Sequence, residues 1–248
     1  MGKLDGKIAF IGGSDGIGFA TAQQFILEGA DHVFITSRRQ DALNEAVKKL
    51  DSKNVTAVQG DVSNMADLDK LYDKIKKEKG RLDILFANAG IFEFASLDSI
   101  SEKHYHNLFD INVKGMLFTV QKALPIFVDG GSIILNASVG SVKALEKRSI
   151  YSATKAAIRS FARCCTVDLK ERKIRVNALS PGSTNTSIFK NIGKSEEQMK
   201  ELYAFLGART ARGYIATSDE IAKAAVFLAS DDSSYITGIE LFVDGGVA

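Results

Sequence analysis

Seven short apolar runs punctuate the chain, and longer stretches with apolar residues every three or four positions lie between them. The runs are Lys7–Ile11, His32–Thr36, Val55–Gln59, Ile84–Asn88, Ser132–Ala137, Ile174–Ala178 and Ile239–Val243. They are rich in Val, Ile and Phe and mostly do not alternate with polar residues, the pattern of strands covered on both faces. Helical periodicity falls near 17–29, 40–50, 65–79, 101–128, 151–172, 195–207 and 218–230. Ser101-Glu102 and Ser218-Asp219-Glu220 look like helix starts, a capping side chain followed by early acids. Such alternation predicts right-handed crossovers and an α/β doubly wound domain, a seven-stranded, mostly parallel sheet with helices on both faces. No Pro- or Ser-rich linker interrupts it, so residues 1–248 read as one domain. Ligands of such sheets gather beyond the carboxyl ends of the strands, where the strand order reverses. Chemistry is therefore sought in the residues just after each run.

Composition narrows the possibilities. The 248 residues are 45% hydrophobic and 25% charged, ordinary for a globular domain. Basic residues number 32 and acidic ones 30, a net charge of +2, too small a field to argue for nucleic acid or an anionic membrane as partner. No segment approaches the roughly 20 apolar residues of a membrane span. Ile8–Ile11 is too short for a secretion-signal core, and no Ser or Thr follows Gly2 at myristoylation spacing. Cys164 and Cys165 are adjacent and cannot staple distant segments; they read as helix-packing residues in a reducing cytoplasm. His104 and His106 lack the companions of a metal site, and no metal is expected.

The first run leads into Gly12-Gly13-Ser14-Asp15-Gly16-Ile17-Gly18 and then a helical stretch. This is G-x-x-x-G-x-G, not G-x-G-x-x-G, and no Lys-Ser/Thr follows to make a P-loop. Glycines here let the backbone turn tightly toward a pyrophosphate held at the helix N-terminus, although a plain strand-to-helix turn would use them too. Three further features follow later strands: Asn88-Ala89-Gly90, Ser138 with Tyr151-Ser-Ala-Thr-Lys155 downstream, and Pro181-Gly182. In this order they resemble the short-chain dehydrogenase/reductase family in its short form, over nearly the whole chain from Leu4-Asp-Gly-Lys to Val243-Asp-Gly-Gly.

The residues themselves agree with that resemblance. Tyr151 and Lys155 lie four apart at a helix start and so share a face. A free tyrosine titrates near pH ~10 and is a poor acid or base at neutrality, but a neighbouring ammonium favours the phenolate. Tyr151 would then exchange a proton with the substrate oxygen while Ser138 hydrogen-bonds the developing alkoxide. The resemblance adds Asn112, in the 101–128 helix, as the fourth catalytic residue, holding a water that relays protons to Lys155. It also implies a nicotinamide dinucleotide held by Gly12, Ser14, Gly16, Ile17, Gly18, Ser37, Arg38, Arg39, Asp61, Val62, Asn88, Ala89, Gly90, Tyr151, Lys155, Pro181, Gly182, Thr184 and Thr186. Asp61 and Val62 would meet the adenine edge, and Thr184 and Thr186 the carboxamide and phosphates.

Those readings imply an oxidoreductase interconverting an alcohol and a ketone or aldehyde. NADP(H) is the expected cofactor, with NAD(H) possible. Ser37 stands where NAD-preferring proteins carry an acid, and Arg38 can bond a 2′-phosphate with a charge-assisted fork. Asp15 opposes it, where an Arg would have been a second clamp. An NAD-dependent alcohol dehydrogenase of the same family and a non-catalytic dinucleotide sensor are the alternatives. Lys143, Glu146, Lys147 and Arg148 could touch a polar substrate, but a solvated loop face is the preferred reading, which leaves the pocket without a strong charge cluster. The expected substrate is thus a neutral or weakly polar carbonyl compound, either an aromatic or alicyclic ketone or a 3-oxoacyl group. The resemblance implies that the segment near 185–213 covers it, with Phe189, Tyr203 and Phe205 either lining the pocket or packing on the body. The two long helices carry an apolar surplus, including Leu117, Phe118, Phe161 and Cys165, and the C-terminus ends in Val247-Ala248; members of the family this chain resembles pair such helices and C-termini across two-fold axes, so the resemblance implies a homotetramer of dihedral symmetry.

Overall fold

The computed structural model describes residues 2–186 and 195–248. The strands are β1 (Ile8–Gly12), β2 (His32–Ser37), β3 (Val55–Gln59), β4 (Leu82–Ala87), β5 (Phe127–Asn136), β6 (Arg175–Pro181), the two-residue β7 (Thr184–Asn185) and β8 (Ala216–Thr217), and β9 (Glu240–Val243). The helices are α1 (Gly16–Leu27), α2 (Gln40–Leu50), α3 (Met65–Lys79), α4 (Glu102–Phe109), α5 (Met116–Ala123), α6 (Ser149–Asp168), α7 (Glu196–Gly207) and α8 (Ser218–Ala229). Seven strands form one sheet in the order β3-β2-β1-β4-β5-β6-β9, and every neighbouring pair is parallel. The order reverses between β1 and β4, so the carboxyl ends of these two strands flank the crevice.

The apolar runs became strands because both faces are covered. β1 and β4 are buried throughout. On one face Phe10, Leu71, Leu85, Ile133 and Val176 join α3, α5 and α6. On the other, Ile11, Phe25, Phe86, Ile134 and Leu228 join α1 and α8. Arg175 is buried at the start of β6, and its guanidinium donates to the carbonyls of Leu228 (2.8 Å) and Ser230 (3.0 Å). It thereby satisfies the carboxyl end of α8, which has no helical partner of its own.

Three local features differ from the sequence expectation. The stretch 101–128 is not one helix: α4 and α5 are separated by a wider π-helical turn over Asp110–Gly115, and β5 begins at Phe127. The capping residue of α8 is Thr217, not Ser218; it closes a capping box with Glu220. The β7–β8 pair was not anticipated, since two-residue strands carry no periodicity. Among the described residues, no helix is long and apolar enough to cross a membrane.

Candidate active site

The glycine turn is shaped by what packs on it. Gly13 has φ of 122° and Gly16 of 51°, values that strain any side chain. A Cβ on Gly13 or Gly18 would stand 2.9 Å from Asn88 Nδ2, and one on Gly12 2.9 Å from the Ala89 nitrogen. The end of β4 is thus pressed onto the turn, and Asn88 Nδ2 donates to the Gly12 carbonyl at 2.5 Å. Ser14 is buried and Ile17 half-buried. The first turn of α1 holds no acid, and the Asp15 side chain makes no capping hydrogen bond there. Its leading N–H groups are therefore not engaged by a cap, and the helix end is electrostatically suited to a pyrophosphate. Thr186 lies across the turn, 3.3 Å from where a Gly16 Cβ would be. Thr184 is buried and donates to the Gly182 carbonyl at 3.0 Å, and Gly182 passes so close to Asp244 that a Cβ would come within 2.7 Å. Pro181 closes β6. The described residues therefore fit a dinucleotide.

The far end of the crevice carries two ion pairs. Arg38 Nη1 lies 3.9 Å from Asp61 Oδ2, and Arg39 Nη2 3.7 Å from Asp15 Oδ2. Asp15, expected to weigh against a 2′-phosphate, pairs with Arg39 because the glycine turn and the start of α2 are neighbours. Ser37 accepts from the Arg39 backbone at 3.4 Å. Asp61 Oδ1 accepts from the Ser63 backbone (2.9 Å) and hydroxyl (2.7 Å). Val62 is buried in the core beneath.

At the other end, hydrogen bonds run from a buried ammonium to the glycine turn. Lys155 is 5% exposed, and its Nζ donates to the Asn136 carbonyl at 2.7 Å. Asn136 Nδ2 donates to Asn88 Oδ1 at 2.8 Å, and Asn88 continues to Gly12. Lys155 Nζ lies 5.7 Å from the Tyr151 ring centroid. Ser138 acts on the Tyr151 phenol as a hydrogen-bonding neighbour that favours the phenolate, and Ser138 Oγ accepts from the Gly140 backbone at 3.1 Å. Asn112 sits in the π-helical turn and is 1% exposed. It accepts from the Ile91 backbone N–H (2.8 Å) and donates to the Ile91 carbonyl (2.9 Å) and to Thr154 Oγ1 (3.2 Å). Gly90 keeps the space beside it: a Cβ there would be 3.1 Å from Asn112 Oδ1 and 3.8 Å from Lys155 Nζ.

Burial governs the charges. It pushes the Lys155 ammonium down to about 8. It pushes the Tyr151 phenol up, with the Ser138 hydrogen bond and the positive charge of Arg148 acting in the opposite sense. The sequence argument gave Lys155 the task of lowering Tyr151. In the chain itself the cation acting on the phenol is Arg148, and desolvation outweighs it.

Arg148 was expected on a solvated loop and is not there. It is half-buried, with its guanidinium 5.2 Å from the Phe92 ring and 5.1 Å from the Phe94 ring. Phe92 in turn meets Tyr151 edge-on at 4.9 Å. Asn136, Phe92 and Phe94 were also missed. A polar residue ending the buried run Ile133-Ile134-Leu135 was the available signal for Asn136. Phe92 and Phe94, two aromatics just after Asn88-Ala89-Gly90, were the signal for that wall. His104 is not plain helix surface either, since its Nδ1 lies 3.1 Å from Glu93 Oε2. Phe205 is 57% exposed, with the Arg209 guanidinium 5.5 Å from its ring; Tyr203 is half-buried. Phe189 lies outside the described residues.

The chain is similar to known proteins in sequence and in fold. A family model described as Enoyl-(Acyl carrier protein) reductase matches residues 12–248. The oxidoreductase asL5 of Sarocladium schorii is 44% identical over 249 residues, 99% of this chain and 97% of its own. A probable tetrahydroxynaphthalene reductase of Zymoseptoria tritici is 34% identical, covering 98% of this chain and 95% of that one. Among solved structures, the angucycline C-6 ketoreductase LanV with bound NADP matches with a TM-score of 0.89 and 30% identity, over 99% of this chain and 97% of that one.

The buried ammonium makes a stability prediction. Lys155 titrates near 8 folded and near ~10.4 unfolded. Between those values the unfolded chain holds the extra proton, so stability rises with pH there and the gain is lost as pH falls through the folded value. Urea unfolding at pH 7 and pH 10 should therefore show wild type gaining on Lys155→Met at the higher pH, by on the order of a few kcal/mol. A wild-type-to-variant difference that is flat with pH would mean the ammonium is not desolvated.

Proposed function

The chain belongs to the short-chain dehydrogenase/reductase family, and from that premise we propose that it reduces a ketone on an aromatic substrate with NADPH, Tyr151 delivering the proton. The observation that carries this reading is the continuous set of contacts from the glycine turn through Asn88 and Asn136 to Lys155, with Tyr151 and Ser138 bonded beside it. Relatives named as reductases of hydroxylated or polycyclic aromatic compounds favour the reductive direction and the ring-bearing substrate.

The dinucleotide supplies hydride to the carbonyl carbon when it is bound. Tyr151 protonates the carbonyl oxygen, and Ser138, already within reach of the phenol, donates to the same oxygen as negative charge builds there. A phenol whose affinity for its proton is raised by burial arrives at the reaction protonated, as a donor in the reductive direction must. Lys155 holds the end of β5 through the Asn136 carbonyl and can return the proton to Tyr151. Asn112 keeps the backbone at Ile91 in place beside it. α7 covers the substrate in this reading: Met199, Leu202, Tyr203 and Leu206 are half-buried and Gly207 alone in the helix is fully buried. So thin a contact suits an element that must let substrate pass.

NADP(H) is favoured over NAD(H) by the charges at the far end of the crevice. Arg38 is 60% exposed beside Asp61, and Ser37 supplies no carboxylate against a 2′-phosphate. Asp15, being held by Arg39, offers less repulsion than a lone acid. The exchange of a long 3.9 Å ion pair for a forked phosphate contact is favourable. A non-catalytic sensor is the reading that remains if no carbonyl is turned over.

Three measurements test these points. Oxidation of NADPH by a panel of tetralones, naphthalenones and 3-oxoacyl thioesters should be fast with the ring ketones, and Tyr151→Phe should slow it by at least about 10²-fold with NADPH affinity kept. A variant that retains most turnover with chemistry rate-limiting removes Tyr151 from the role, and no turnover at all leaves the sensor. Arg38→Ala should weaken NADPH binding by about tenfold or more while leaving NADH nearly unchanged; equal losses, or faster wild-type turnover with NADH, contradict the preference. The partly buried Leu117, Phe118, Phe161 and Cys165 of α5 and α6 support a homotetramer of dihedral symmetry. Light scattering at micromolar concentration should give a mass four times that of the chain, and a monomer would refute it.

A further inference from the structure

We propose that Arg148 is a specificity-determining residue of this site and takes a ring-borne anionic oxygen of a planar aromatic substrate. The proposal rests on the ketone-reducing reading above and deepens it by naming the charge of the substrate. Arg148 is not a surface cation. Its guanidinium lies within 5.2 Å of both the Phe92 and the Phe94 ring centroids, and its Nε is buried with no hydrogen-bond partner. No carboxylate among the described residues forms an ion pair with it, and residues 187–194 contain no Asp or Glu. Contrast the other arginines near the crevice: Arg38 has Asp61 and Arg39 has Asp15.

A half-buried guanidinium held against two aromatic faces has lost part of its hydration, and the rings return only part of it. An incoming anion therefore gains more here than at an open surface, through charge-assisted and forked hydrogen bonds. The geometry also says where that anion belongs on the ligand. Phe92 packs on Phe94 at 4.6 Å and on Tyr151 at 4.9 Å, so the cation, the apolar wall and the proton donor are contiguous. Phe94 is 48% exposed and offers its surface to a flat ring. A substrate whose carbonyl meets Tyr151 and whose ring lies along this wall carries its remaining substituents toward Arg148. An ionised hydroxyl or carboxylate on that ring satisfies the guanidinium; a purely neutral ring leaves it as it is. This reverses the neutral substrate expected from the sequence.

The test uses inert probes, so it does not depend on turnover. The enzyme, saturated with whichever of NADPH and NADH it binds more tightly, is titrated calorimetrically with 2-naphthoate and with the neutral isostere 2-naphthamide at pH 7. Wild type should favour the naphthoate by about tenfold or more. Arg148→Met, which keeps length and apolar packing, should erase that ratio, and Arg148→Lys should retain part of it. Cofactor affinity should be the same in all three. Should the Met variant fail to fold, Arg148→Gln takes its place with the same expectation. No anion preference in wild type, or a preference that survives the loss of charge, overturns the proposal. Failure to reduce any ketone would instead overturn the functional reading and leave this binding result standing.

Discussion

One buried ammonium sets the terms for the rest of the site. Lys155 is brought inside by α6, and its Nζ donates a hydrogen bond to the Asn136 carbonyl. A desolvated cation with so little compensation is expensive, and its lowered proton affinity reports that cost directly. The surroundings follow from it. β5 must end where the Asn136 carbonyl can point at Nζ. The Asn136 side chain, fixed by that geometry, reaches Asn88, and Asn88 reaches Gly12. The turn that would cradle a pyrophosphate is therefore connected by hydrogen bonds to the Lys155 end of the crevice, across the carboxyl ends of three strands. A change in the position of any one of these groups is passed on to the others, because none has slack in a close-packed interior.

The elements of the sheet were legible because burial on both faces leaves an unambiguous trace in the sequence. Runs such as Phe34-Ile35 and Ile133-Ile134-Leu135 cannot be anything but interior, and the helical stretches between them had lengths suited to crossovers. Gly12, Gly16, Gly18, Ser138, Tyr151 and Lys155 stood out for a different reason: their order along the chain resembles that of the short-chain dehydrogenase/reductase family. What the chain did not reveal in advance was pairing between side chains far apart in sequence. Asp15 with Arg39, Arg38 with Asp61, and Arg148 with Phe92 and Phe94 depend on how loops lie against one another. A charged residue in a loop has the same local signature whether it faces water or a ring.

Asn112 shows how a local irregularity can hide inside a regular pattern. The periodicity of 101–128 is helical throughout, and the chain does stay helical from α4 into α5. The wider turn over Asp110–Gly115 adds to the circumference of the helix there, as such turns do at functional sites. Asn112 is thereby directed inward, where it grips both backbone groups of Ile91. Gly115 fits the same turn: a Cβ there would meet Val62 at 3.0 Å. A uniform α-helix would carry the same amino acids with a different set facing the crevice, so the sequence pattern alone could not distinguish the two.

The charges along the crevice are also unequal in kind. At the far end each arginine is exposed and has a carboxylate within reach, so its field is largely answered and screened by solvent. Exchanging one anion for another there changes little in the total. At the Tyr151 end the guanidinium is answered by aromatic faces, which attract a cation without neutralising it. Its field persists in a region of lower dielectric and acts on Tyr151. The same field would act on any substrate oxygen that gains negative charge beside it. In the proposed reading, binding selectivity and proton transfer would draw on one residue: a cation that favours an anionic group on the ligand would also ease the phenol toward giving up its proton. Phe92 and Phe94 hold the charge where no carboxylate among the described residues pairs with it.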